Sequence, residues 1–155
     1  CTLNQIAIIR EVLSSYKVNI YNELYKDLPE NTIGEKIIKL RYMHNIERSE
    51  FAKLLNFHLD TLESWELHNV MPKPNSIKKL CEFFNVSLEY FHNYYSIYFD
   101  NPGAKIKEWK ENKDLTYKQA CDLLNITHSG FGRLLHGKIN LSYNMYLKLK
   151  KLGAF

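Results

Sequence analysis

At 155 residues, with 45% hydrophobic and 25% charged side chains, the chain has the composition of a folded protein with room for one ordinary domain or two small ones. A formal charge of +4 permits a nucleic-acid partner without requiring one. No apolar run reaches the ~20 residues of a membrane helix, no signal peptide is visible, and three scattered cysteines do not make a disulfide framework.

In chain order, residues 2 to 28 read as helical, because Ile6, Ile9, Leu13, Tyr16, Ile20 and Leu24 recur at steps of three and four. Such a stripe suits a helix or helical hairpin packed on the first repeat, or a dimerisation helix close to a heptad seam. Asp27-Leu28-Pro29-Glu30-Asn31 breaks the pattern. Thr32 and Glu35 have the spacing of a capping box and start a helix running to about His44. The next helices lie at about 48 to 55 and 59 to 67. Met71-Pro72-Lys73-Pro74 is a stiff turn before a helix from about 75 to 84. Ser87 caps a fifth helix that holds Leu88, Tyr90 and Phe91 and extends toward Tyr98. Asp100-Asn101-Pro102-Gly103 is the clear breakpoint. Beyond it, Ile106 and Trp109 face inward, Thr116 and Gln119 form a second capping box, and Thr127 and Ser142 cap two more helices. Met43, Trp65 and Trp109 read as core residues, and Cys81 and Cys121, on apolar helix faces, as reduced core thiols of a cytoplasmic protein.

One pattern occurs twice. Glu47 to Leu67 and Thr116 to His136 align without a gap at an offset of 69 residues, so that Ala52 pairs with Cys121, Asn56 with Asn125 and Leu62 with Phe131. Each copy reads as two short helices joined by a tight turn. A small residue, Ala52 or Cys121, lets the helices approach. Asn56 or Asn125 accepts the left-handed turn conformation. Phe57 or Ile126 plugs the angle, and Leu62 with Trp65, or Phe131 with Leu134, buries the second helix.

Through TIGEKIIKLR, EFAKLL, TLESWE and KPNSIKKLCEFFNVSLEYF, residues 33 to 95 resemble an XRE-type (lambda-repressor/Cro-like) domain of five helices. Through SGFGRLLHGKIN, residues 103 to 153 resemble the same family as a shorter copy that lacks the last helix. The expected fold is therefore all-α: two lambda-repressor-like helix-turn-helix domains in tandem, at 32–99 and 100–155, preceded by an N-terminal helical segment at 1–31. The resemblance implies that the second helix of each pair enters the major groove, with its first residues on base edges. The expected function is sequence-specific binding of double-stranded DNA by a transcriptional regulator of prokaryotic type, located in the cytoplasm on the nucleoid.

The two copies differ in charge. Residues 34 to 95 hold eight Lys/Arg and eight Asp/Glu, whereas residues 100 to 155 hold ten and five. In the second copy Thr127, His128, Ser129, Gly130 and Arg133 are expected at the groove, with His136 and Lys138 at phosphates. Tyr117 stands where the family often has a phosphate-bracing glutamine. In the first copy Leu59, Asp60, Thr61 and Ser64 take the groove positions, and Arg48 is placed for a phosphate. The first helix of that pair and its second start at Glu47 and His58, which cap less well than Thr116 and Thr127.

No catalytic set, metal-type histidine spacing, C-x-x-C or phosphate-cradling glycine loop is present, so no enzyme activity, metal or cofactor is expected, and no small-molecule substrate or membrane partner. Two other readings stay open. The chain could be the DNA-targeting end of a larger recombinase or modification enzyme, since it starts at Cys1 rather than Met. It could also be a protein-interaction module, a homodimer among the options, built on the acidic helix at 58 to 67 and the N-terminal stripe.

Overall fold

The computed structural model describes residues 25–155, so of the helix expected over residues 2 to 28 all but the last four lie outside the described residues, and Tyr25–Asp27 form a short 3-10 turn. Among those described, the fold is all-α, with ten α-helices and no strand. The helices are α1 (Ile33–Met43), α2 (Arg48–Leu55), α3 (Leu59–Leu67), α4 (Pro74–Phe84), α5 (Leu88–Phe91), α6 (Asn93–Phe99), α7 (Pro102–Asn112), α8 (Tyr117–Leu124), α9 (His128–Leu135) and α10 (Tyr143–Lys151).

Local chemistry sets most of these boundaries. Thr32 with Glu35 and Thr116 with Gln119 form reciprocal capping boxes. Ser87, Thr127 and Ser142 accept from the backbone N–H three residues on. Glu47 and His58 make no such bond. Asn56 (φ 55°) and Asn125 (φ 52°) end α2 and α8 in the left-handed region, as their place in the turn requires. Pro74 and Pro102 open α4 and α7, where the missing N–H costs nothing. The fifth helix does not run on to Tyr98. It breaks at His92, which is extended and whose Nδ1 accepts from the Tyr94 N–H at 3.0 Å to start α6.

The chain forms two compact units that divide at Val86–Ser87. In the first, Ile37, Phe51, Leu62, Trp65, Ile77, Leu80 and Phe84 make the core. Aromatic rings knit it, with Phe51 to Phe84 at 5.1 Å and Phe57 to Trp65 at 5.0 Å. In the second, Ile106, Trp109, Ala120, Leu124, Phe131, Leu134 and Leu149 do the same. The expected boundary is at 99/100, but α5 and α6 belong with the second unit. Tyr94 and Tyr95 of α6 are buried there, the Tyr94 hydroxyl donates to the Leu141 carbonyl at 2.8 Å, and its ring lies 5.4 Å from that of Tyr146. A tyrosine-rich amphipathic segment joins whichever neighbour covers its apolar face, and sequence order does not name that neighbour.

The repeat extends well past the helix pair. Helices α1 to α4 and α7 to α10 start 69 residues apart, one by one. Both arrays rest on the same close approach. A Cβ added at Gly34 would lie 2.3 Å from the Trp65 carbonyl oxygen, and one added at Gly103 would lie 2.3 Å from that of Leu135. Only a glycine lets the first helix of each array meet the third this closely. The polar support between the first two helices also repeats. Arg41 donates to the Ile46 carbonyl at 2.8 Å, and Lys110 to that of Leu115 at 3.2 Å.

One core assignment changes. Met43, expected inside, is 47% exposed, because α1 ends there and its last turn leaves the apolar face. Arg41 and Glu66 are buried instead, as an ion pair. The buried cysteines are as expected: burial, aided by Glu82, pushes the Cys81 thiol up to about 11, and burial raises that of Cys121 as well.

Candidate nucleic-acid interface

Helix α9, HSGFGRLL, is the centre of the candidate site. Phe131 and Leu134 anchor it to the core. The opposite side is open: His128, Ser129, Arg133, His136 and Lys138 are all exposed. Ser129, Arg133 and His136 follow steps of four and three, so they form one outward stripe. Thr127 is itself exposed, and its hydroxyl accepts from the Gly130 N–H at 3.1 Å.

The two glycines of this helix each have a packing reason. A Cβ at Gly130 would lie 3.0 Å from the Thr127 hydroxyl oxygen and 3.1 Å from Ile126, so its absence makes room for the cap. The groove position expected of Gly130 thus has a structural competitor as the reason for a glycine there. A Cβ at Gly132 would lie 2.9 Å from the Tyr117 hydroxyl. Gly132 is the notch in which Tyr117 sits, a role that the sequence reading misses. A signal for it exists: two glycines inside one short helix cost about 1 kcal/mol each relative to alanine and call for a reason.

Tyr117 braces α9 from α8. Its hydroxyl donates to the His128 carbonyl at 2.7 Å, and its ring lies 4.9 Å from the His128 imidazole and 5.0 Å from Phe131. A phenol has one proton to give. While that proton is held by His128, the hydroxyl can only accept, and a phosphate needs a donor. The phosphate contact expected of Tyr117 is therefore replaced here by an internal bond. Lys118, the next residue, is exposed and carries a charge at the same helix start. Lys148 of α10 donates to the Leu124 carbonyl at 3.0 Å and so ties the end of α8 to α10.

The corresponding face of the first unit differs in chemistry. Leu59 and Asp60 are exposed, and Thr61 and Ser64 are half-buried. The Ser64 hydroxyl is spent on the Asp60 carbonyl at 2.6 Å. Arg48, expected at a phosphate, gives its Nε to Glu66 Oε2 at 2.7 Å, and Arg41 reaches the same carboxylate at 2.6 and 3.0 Å. This triad fastens α1, α2 and α3 to one another. At the matching positions the second unit has Lys110, Tyr117 and Leu135, so Tyr117 does without charge what Arg48 does with it.

Charge shows the same division. No Asp or Glu occurs from Leu123 to Phe155, where Arg133, Lys138, Lys148, Lys150 and Lys151 lie. From Leu54 to Pro72 there is no Lys or Arg. Among the described residues no group of three or more His, Cys, Asp and Glu could hold a metal, and no helix is long and apolar enough to cross a membrane. Comparison with models of protein families, with curated proteins and with solved structures finds no match for this chain.

Proposed function

We propose that the chain is a sequence-specific double-stranded DNA-binding protein, without catalysis of its own, that acts in the cytoplasm as a transcriptional regulator. In this reading the α8–α9 pair is a helix-turn-helix of lambda-repressor type and α9 is the recognition helix. The observation that carries it is the outward stripe Ser129–Arg133–His136 on a capped, braced helix within an acid-free stretch. Arg133 has the donors to read a guanine edge, Ser129 can serve a base or a phosphate, and Lys138 supplies phosphate contact. The first unit has no cation on α3 and contributes less to DNA affinity.

Selection from random duplexes, and then titration of the selected site, tests this. Arg133→Ala should weaken the selected site by about 1–3 kcal/mol and relax one position of its sequence. Lys138→Ala should weaken all duplexes alike and lower the salt slope by about one. A chain that selects no duplex, or an Arg133→Ala variant that binds the selected site unchanged, overturns the reading.

A further inference from the structure

At matched places in the two units, the third helix of each array presents outer faces of opposite chemistry. On α3, Leu59, Glu63 and Leu67 are spaced by four and flank the buried Leu62, Trp65 and Glu66, with Leu59 and Leu67 exposed and Glu63 half-buried. Asp60 widens the stripe, and the Val70 N–H, donating to the Ser64 carbonyl at 3.2 Å, holds Val70 at its C-terminal end. Leu59, Leu67 and Val70 are 44%, 55% and 50% exposed, a run of apolar surface edged by carboxylates. A surface of this kind repels a phosphate backbone. It suits a protein face whose cations have long aliphatic stems, which can cover leucines while their charged ends meet carboxylates. The outer face of α9 is such a face: Arg133 and Lys138 are exposed with no acid near them in sequence.

We infer that the outer face of α3 is a docking surface for the outer face of α9 on a second copy of the chain. Two different surfaces meet in such a contact, so association is head-to-tail, and an open assembly keeps one unused face of each kind, one at either end, until a ring closes. The inference rests on apolar exposure and charge complementarity and stands whether or not α9 binds DNA. Where DNA does occupy α9, the same contact is excluded, and association and DNA binding compete.

The test is sedimentation of the full chain across a concentration series at low and high salt. The wild type should gain mass with concentration and lose it as salt screens the contact. The reversals D60K/E63K and R133E/K138E should each raise the apparent Kd at least about tenfold. The first reversal carries two positive faces and the second two negative ones, so an equimolar mixture should associate again. Circular dichroism checks that each variant is folded. Should a reversal fail to fold, the neutral pairs D60N/E63Q and R133Q/K138Q take its place and must also weaken association. A wild type that stays monomeric throughout, association that survives both changes, or a mixture of reversals that stays monomeric overturns the inference.

Discussion

Replacing Glu66 with leucine, the residue at the matching place in the second unit, should separate the two ways in which the repeats are held together. The Glu66 side chain is fully buried, that of Arg41 is 7% exposed and that of Arg48 30%. The carboxylate accepts from Arg41 at 2.6 and 3.0 Å and from Arg48 at 2.7 Å. Removing it leaves the Arg41 guanidinium buried with the Ile46 carbonyl as its remaining acceptor among these bonds. Loss of one partner from a buried pair costs about 3–5 kcal/mol, a large part of the ~5–15 kcal/mol that holds a domain folded. The repeat supplies the compensating changes. Arg41→Lys restores the residue that serves the Leu115 carbonyl in the second unit, Arg48→Tyr restores Tyr117, and Glu63→Gly restores the Gly132 notch in which that tyrosine sits. Because a buried ion pair can often be exchanged for apolar packing at little cost, while a glycine inside a helix costs about 1 kcal/mol, the quadruple variant should recover to within about 2 kcal/mol of the parent. Urea unfolding monitored by tryptophan emission is the assay, since Trp65 reports the first unit and Trp109 the second. The single-variant loss should fall on the first unit and persist in high salt, because buried charges are screened little. A loss within the ~1 kcal/mol of an exposed pair would refute the argument, as would a quadruple variant no better than the single one.

The second unit and its tyrosines give three more expected outcomes. The Tyr146 hydroxyl is buried with no hydrogen-bond partner, so Tyr146→Phe should leave stability unchanged or raise it by about 1 kcal/mol; a loss of that size by urea unfolding would mean the hydroxyl is satisfied. Gly103→Ala places a Cβ 2.3 Å from the Leu135 carbonyl oxygen, and since backbone must move, it should cost about 1–3 kcal/mol or more. A neutral result would show that α7 and α9 are less closely apposed. Burial, with Tyr98 adding, pushes the Tyr94 hydroxyl from its ordinary 10 up to about 12, and burial raises Tyr95 too. The folded state therefore keeps protons that the unfolded state releases. The tyrosines should leave stability level below pH 10 and lower it above that, by up to ~1.4 kcal/mol per pH unit each, on top of the fall from about pH 9 that the raised Cys81 and Cys121 thiols give by the same sign. Phenolate absorbance from these two side chains appearing at 10 in the folded protein would contradict this.

By itself the sequence determined most of the helices and caps, though not the break at His92, and with them the left-handed asparagine turns and the 69-residue repeat, because each of these depends on residues within about one turn of one another, or on a spacing that can be counted. Its periodicity also placed Phe131 and Leu134 inward, and the resemblance implied an outward His128, Ser129, Gly130 and Arg133, of which Gly130 is half-buried and the others exposed. Tertiary structure alone decided which elements group together and what the polar side chains do. Arg41 meets Glu66 across 25 residues and Tyr94 meets Leu141 across 47, distances over which no local pattern names a partner. The same holds for Tyr117. Its position suggests an outward contact, but a carbonyl and a glycine notch on the next helix are close enough to claim its hydroxyl first. A side chain's reach is written in its residue type, whereas the competitor that captures it is set by how the helices cross.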